Sequence, residues 1–348
     1  MAMTIVEVDR AIVGGVDTHL DNHVAAALDP LGALLGTESF ATTPAGYKLL
    51  LSWLGQFGTV TKVGVEGTGA YGAGLARFLR KEGIDVVEVD RPNRMARRLH
   101  GKSDPLDAVE AARAALSGRA GGQAKTRDGA VEAIRVLHVA KRSATRARAK
   151  ALTQMRHLTY TAPDQLRCSM KGLPGNKLVT EARRLRPRSS SDPVTSATKA
   201  SLSSLAHRID SLDREIVELE ALLAPLVEAT APELLALLGV GIDTAAALLV
   251  AAGDNAQRLH SESAWAHLCG VAPIQASSGK VTRHRLDRGG DRQANNALWR
   301  IVIVRLAHDP DTRAYMERRL KEGRSKREVI RILKRYVARE VYHYLPRG

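Results

Sequence analysis

Hydrophobic positions near the start of the chain come in short runs of strand length. Residues 11–16 and 24–28 are two such runs, and Asp29-Pro30-Leu31-Gly32 after the second reads as a hairpin turn. A third strand is predicted over 34–40. Thr43-Pro44 then opens a helix, the threonine capping it and the proline suiting its first turn, with Tyr47, Leu50, Leu51 and Leu54 at helical spacing. The pattern continues with a buried strand over 62–66, a helix over 71–81 closed by Gly83, a strand over 84–89 and a helix over about 103–117. In that last helix Asp104 is expected as the cap and Pro105 as the first helical residue. Three strands with a hairpin, then alternating helices and strands, is the order of an RNase H-like α/β fold, an order that other α/β folds share in part.

The periodicity then turns helical. Residues 128–160 predict one long helix rich in alanine and arginine, and 172–194, with its Gly, Pro and Ser-Ser-Ser, reads as a linker or mobile tip. Leu202, Leu205, Ile209, Leu212, Ile216, Leu219, Leu223 and Leu226 alternate spacings of three and four, a heptad seam. It suits either an antiparallel partner within the chain, residues 128–160, or a dimer. From Pro232 onward the chain is again helical. Leu235, Leu238, Gly239-Val240-Gly241 and Ala245 resemble a helix-hairpin-helix, in which a glycine turn lets amides approach a phosphate, although Gly-x-Gly between helices is often only a tight turn. A closing helix over 326–345 packs through Val329, Ile330, Leu333, Val337, Val341 and Tyr344. Domains are expected at 1–122 (α/β), 123–230 (helical, coiled coil) and 231–348 (mainly α).

Charge changes the picture. The net charge is +15 and the isoelectric point about 10.1. Residues 281–348 hold 18 Lys+Arg against 8 Asp+Glu, and 141–171 hold 8 against 1, so the rest of the chain is near neutral. A basic run is often only a solvated helix face, but two blocks on a neutral remainder favour phosphate contact. Aromatic residues at 4% are too few for a base-stacking platform, which points to the backbone of a duplex. No run of about 18 apolar residues exists for a membrane span, and residues 1–10 do not read as a signal peptide. Cys168 and Cys269 build neither a disulfide framework nor a zinc site, which fits a reducing cytoplasm.

Four acids stand where a metal-dependent nuclease site of this fold needs them. Asp17 follows the first strand, Glu66 ends the next parallel one in Val65-Glu66-Gly67-Thr68-Gly69, and Asp104 and Asp107 share a helical face three residues apart. Phosphodiester chemistry must stabilise charge on attacking and leaving oxygens. Two Mg²⁺ ions, with Mn²⁺ able to substitute, do so when carboxylates from different elements hold them. Singly, Asp17 could close a strand and Asp104 could merely cap a helix; together the four are a constellation.

Val16-Asp17-Thr18-His19, Glu66-Gly67-Thr68-Gly69 and Lys102-Ser103-Asp104-Pro105-Leu106-Asp107-Ala108 resemble the DEDD transposases, the insertion-sequence family numbered one hundred and ten, related to the pilin-gene invertases. The likeness covers nearly the whole chain, including Leu268-Cys269-Gly270-Val271-Ala272-Pro273. It implies a RuvC-like first domain and transposition by cut-and-paste or a circular intermediate. The implied partners are donor and target double-stranded DNA, a bridge RNA and further copies of the chain in a dimer or tetramer. It also implies a nucleophilic serine. The matching segment is Ala276-Ser277-Ser278-Gly279-Lys280, and serine directly before glycine selects Ser278, with Ser277 in reserve. By itself this would be a flexible loop. A serine hydroxyl needs activation, so the carboxylates would lie beside it, from the same or another subunit. Lys280, Arg283, Arg285, Arg288, Arg292 and Arg300 are the expected phosphate contacts. Two other readings compete. A junction resolvase or structure-selective nuclease would use the same acids with water. A non-catalytic nucleic-acid binder would leave the acids unexplained.

Overall fold

The structure, a computed structural model, describes residues 10–89, 103–120, 122–187 and 192–346. The chain divides into two compact units, Met1–Gly129 with Gly253–His260 and Ala130–Ala252 with Ser261–Pro346. The segment returning to the first unit is held by Asn255, whose side-chain amide donates to the Ala124 carbonyl at 3.0 Å.

The first unit is a mixed α/β sheet domain. Its strands are β1 (Ala11–Thr18), β2 (Asn22–Leu28), β3 (Leu34–Ala41), β4 (Thr59–Glu66), β5 (Asp85–Val89) and β6 (Gly122–Gln123). They form one sheet in the order β3-β2-β1-β4-β5-β6. β1, β4 and β5 run parallel, and β2, β3 and β6 pair antiparallel to their neighbours. The β1–β2–β3 hairpin pair forms as the apolar runs predict, and Asp29 closes the second turn by accepting from the Leu31 and Ala33 amides at 2.9 and 2.8 Å. Helices α1 (Pro44–Gly55) and α2 (Ala73–Lys81) cover one face. There Ile12, Val16, Leu50, Leu54, Val63, Val65, Leu75 and Leu79 form the main core. Thr43 caps α1 through the Gly46 amide, as expected.

The other face carries α3 (Asp104–Leu116), seated on a pair of glycines. Gly15 and Gly64 are register partners on β1 and β4. A Cβ on Gly15 would fall 2.1 Å from the Ala112 amide nitrogen, and one on Gly64 would fall 2.5 Å from the Ala111 carbonyl oxygen. Bare glycine strands and an alanine-lined helix thus bring backbone against backbone, closer than any side-chain layer would allow. The start of α3 departs from expectation. Ser103, extended at φ −148° and ψ 149°, is the cap, and Asp104 is already helical because the Asp107 amide bonds to the Ser103 carbonyl at 3.0 Å.

The second unit is helical. α4 (Ala130–Thr161) and α7 (Pro193–Thr230) run antiparallel, tied by Lys141 to Glu220 and Arg148 to Asp213. Leu202, Ile209 and Leu223 of the heptad seam are fully buried, so the chain supplies its own partner for that seam. The linker expected over 172–194 is instead partly helix. α5 (Asp164–Met170) precedes it, and α6 (Gly175–Arg184) buries Leu178, Val179 and Ala182 against Met155 and Leu202. Their i, i+1, i+4 spacing is a helical stripe that the flanking Gly and Pro obscured; the serines 189–191 lie outside the described residues. Further on come α8 (Pro232–Leu235), α9 (Ile242–Ala252), α10 (Glu262–Leu268), a short hairpin of β7 (Ile274–Gln275) and β8 (His284–Arg285), then α11 (Arg292–His308), α12 (Pro310–Lys321) and α13 (Lys326–His343). The Gly239-Val240-Gly241 turn joins α8, a single turn, to the buried α9, so the first helix of the expected helix-hairpin-helix is short. Among the described residues no helix is long and apolar enough to cross a membrane.

Candidate catalytic site and cationic clefts

Strand alternation decides which way the first acids face. Ile12 and Val16 enter the α1 core while Val13 packs with Ala115 of α3, so Asp17, two positions beyond Gly15, faces the α3 side. On β4 the same alternation puts Val63 and Val65 in the α1 core and Glu66 on the α3 side. The parallel register Val16–Val65 makes Asp17 and Glu66 neighbours at the carboxyl ends of their strands, and the Thr18 hydroxyl ties those ends by donating to the Glu66 carbonyl at 2.8 Å. α3 then brings Asp104 and Asp107 over the same edge of the sheet.

Side chains meet there in one acidic cluster. Among the described residues, the donor atoms of Asp17, His19 and Asp104 all lie within 4.8 Å of one another. His19 Nε2 is 3.0 Å from an Asp17 oxygen and 3.5 Å from an Asp104 oxygen. Asp17 and Asp107 are buried, whereas Asp104 and His19 stay open to solvent. Burial pushes the Asp17 carboxyl above its ordinary value; His19 pulls it down, and Asp107 and Asp104 push it up again. Three acids close enough to feel one another, with one imidazole among them, offer donors suited to a divalent cation. Glu66 lies on the next strand end, outside the tight group. His19 has no place in the sequence-derived set. Its signal was proximity in sequence to Asp17, across the β1–β2 turn.

The two candidate serines occupy the tip of the β7–β8 hairpin but have different surroundings. Ser277 is locked into it: its hydroxyl accepts from the Arg283 amide at 3.1 Å and lies 3.3 Å from the Arg283 carbonyl. Ser278 pairs with Val281 through backbone bonds alone, and Gly279 at φ +54° makes the turn between them. The Ser278 side chain is exposed, and its hydroxyl bonds to no described residue.

The expected cationic residues separate into groups. Lys280 and Arg283 lie on the exposed hairpin. Arg285 and Arg288 line a cleft of about 670 Å³ between the hairpin and α13, with Arg324, Arg331, Lys334 and Arg335. Lys334 donates to the Asn295 side chain at 2.8 Å, and burial and Arg331 lower its pKa. Arg292 and Arg300 instead line a separate cleft of about 410 Å³ with Arg142 and Arg146 of α4. Arg142 and Arg146 lie in the basic block 141–171, whose charge alone singles out neither.

Two transposase family models match the chain, together over more than half of it. A DEDD transposase model of the IS110 group covers residues 14–161, and a model described as transposase IS116/IS110/IS902 family covers 231–317. All four acids fall in the first match and the serine hairpin in the second. The chain is 32% identical over 136 residues to the insertion element IS110 uncharacterized 43.6 kDa protein of Streptomyces coelicolor, covering 38% of this chain and 33% of that one. It is 27% identical over 134 residues to the insertion element IS900 uncharacterized 42 kDa protein of Mycobacterium paratuberculosis, covering 38% and 34%. These alignments span about one third of the length of the curated relatives.

Proposed function

The chain belongs to the IS110 family of transposases, and on that premise we propose that it is the DNA recombinase of an insertion sequence, cutting and rejoining strands through a protein–DNA ester. The observation that carries the proposal is the convergence of Asp17, Asp104 and His19, with Asp107 close enough to raise the Asp17 pKa. A strand order of β3-β2-β1-β4-β5, with acids at the ends of adjacent parallel strands, supports an RNase H-like reading of the first unit.

Asp17, Glu66, Asp104 and Asp107 would hold divalent cations, two Mg²⁺ in the first instance. Bound there, such ions supply charge stabilisation for the attacking and leaving oxygens of a phosphodiester. His19 orients Asp17 through its 3.0 Å contact and is a positioning residue. Ser278 is the nucleophile. Its hydroxyl gives up a proton, its oxygen bonds to phosphorus, and the leaving sugar oxygen takes a proton. The reverse step rejoins strands without an external energy source, because the ester conserves the bond. Exposure suits Ser278 to this role, whereas Ser277 is committed to the hairpin backbone.

Lys280, Arg283, Arg285, Arg288, Arg292 and Arg300 would contact phosphates of double-stranded donor and target DNA. A bridge RNA, a homo-oligomer and a cytoplasmic site of action complete the proposal, and sequencing RNA that co-purifies with the protein tests the RNA partner. The deciding experiment is a denaturing gel of the protein with labelled DNA and Mg²⁺. A covalent protein–DNA product that disappears on chelation supports recombination. Free DNA ends would mean that the acids activate water, as in a resolvase. Chelation that leaves both binding and products unchanged would remove the catalytic reading of the acids.

A further inference from the structure

The cleft between α4, α9 and α11 has the chemistry of a binding site, and neither the acids nor the serine hairpin accounts for it. It encloses about 410 Å³. Arg142 and Arg146 line it from one face of α4, four residues apart, and Arg292 and Arg300 from one face of α11, eight apart. Among the described residues Asp243 is the single acid on its walls, and it is already engaged by Lys141, which also reaches Glu220. Among the described residues none of the four arginines makes an ion pair or a side-chain hydrogen bond.

The fold does not require this arrangement. Ala245 and Leu248 of α9 and Leu298 and Ile301 of α11 are fully buried and give these helices apolar cores that need no charge. Like charges gathered in a concavity repel. Burial and Arg146 lower the Arg142 pKa, with Asp291 opposing. Burial likewise lowers His138, with Asp243 opposing and Arg142, Lys141 and Arg300 adding to the depression. A polyanion relieves that repulsion, and guanidinium forks match phosphate oxygens.

We propose that this cleft is a phosphate-backbone site for double-helical nucleic acid, separate from the serine hairpin and blind to sequence. The inference rests on the nucleic-acid reading above. Among the described residues no Phe, Tyr or Trp lines the cleft, so it lacks the aromatic platform on which successive bare bases stack, and its guanidinium forks suit the backbone. Thr145, Gln293 and Asn296 add neutral donors of the kind that hold phosphates in register. Duplex DNA and duplex RNA share this chemistry.

The test uses the full chain and fluorescence anisotropy with a labelled DNA duplex and a labelled RNA hairpin over a range of KCl concentrations. The variants are Arg142→Ala/Arg146→Ala, Arg292→Ala/Arg300→Ala, the corresponding lysine pairs, and Arg208→Ala/Arg214→Ala as exposed arginines outside the cleft and outside both basic blocks. Thermal melting verifies that each is folded. Each alanine pair in the cleft should weaken all duplex sequences alike. The slope of log affinity against log salt should become shallower by about 0.9 per lost DNA phosphate contact. The lysine pairs should keep most of the slope, and Arg208→Ala/Arg214→Ala should match wild type. Loss confined to one probe identifies the source as DNA or as RNA. If wild type binds while the cleft variants keep its affinity and slope, the cleft proposal falls and the recombinase reading stands. Equal loss in the outside pair means a diffuse basic surface and also overturns it. If wild type binds neither probe, both fall.

Discussion

Asp17 is nearly buried and faces two further acids, so its ionised form is disfavoured in the metal-free fold. The folded carboxyl holds its proton more tightly than the unfolded one. Metal-free stability therefore falls as pH rises from the unfolded value of 3.8 through the folded pKa. Asp17→Asn removes that burden. It should raise the metal-free melting temperature at pH 7 while abolishing strand cleavage, and Asp104→Asn, Asp107→Asn and Glu66→Gln should abolish cleavage with folding intact. Wild-type cleavage by Asp107→Asn would strike that residue from the site. His23 poses the opposite case. It is fully buried on β2, its Nε2 has no hydrogen-bond partner among the described residues, and burial and His19 lower its pKa to about 4. It stays neutral when folded, so stability present above pH 6.5 is lost progressively toward pH 4, by up to about 3 kcal/mol. Melting curves of His23→Phe against wild type should converge as pH rises from 4 to 6.5. A constant gap would show that His23 does not titrate in this window.

At the scale of elements, the seat of α3 on Gly15 and Gly64 places half of the acidic cluster. Gly15→Ala would drive a methyl into the backbone at Ala108 and Ala112. The helix must lift, at a cost of about 1–3 kcal/mol, carrying Asp104 and Asp107 away from Asp17. The expected result is a lowered melting temperature and loss of cleavage that added Mg²⁺ does not restore. A variant with unchanged melting and cleavage would mean that α3 is not held by this contact. The β7–β8 hairpin allows a sharper separation. Ser277→Ala breaks the side-chain link to Arg283 and should cost about 0.5–1.5 kcal/mol locally while the protein–DNA adduct still forms. Ser278→Ala should change stability by less than about 0.5 kcal/mol and abolish the adduct. An adduct of normal yield from Ser278→Ala would sink the assignment. If Ser277→Ala then lost it, the nucleophile would move by one residue.

For the molecule as a whole, a net charge of +15 concentrated in residues 141–171 and 281–348 makes affinity a function of salt. Log affinity for nucleic acid should fall linearly with log salt, by roughly 0.7–0.9 per neutralised phosphate. A flat dependence would contradict phosphate-dominated binding. Scarce aromatic residues predict little preference for bare single strands, which competition with unlabelled oligonucleotides would measure.

Much of this was legible along the chain, because periodicity is a local property. Apolar runs placed β1 to β5, spacing of three and four marked α7, and strand alternation could already set Asp17 and Glu66 on one face. Spacing also put Asp104 and Asp107 on one helical face. Local patterns stop where elements must choose partners. The heptad seam fitted two partners equally until α7 was seen lying along α4. Residues 172–194 looked like a linker because of their Gly, Pro and Ser-Ser-Ser, yet burial of Leu178, Val179 and Ala182 makes 175–184 a helix. His19 joined Asp104, and Arg142 and Arg146 joined Arg292 and Arg300, only through packing. Which distant residues meet depends on which apolar faces close on one another, and that is decided when the whole core forms.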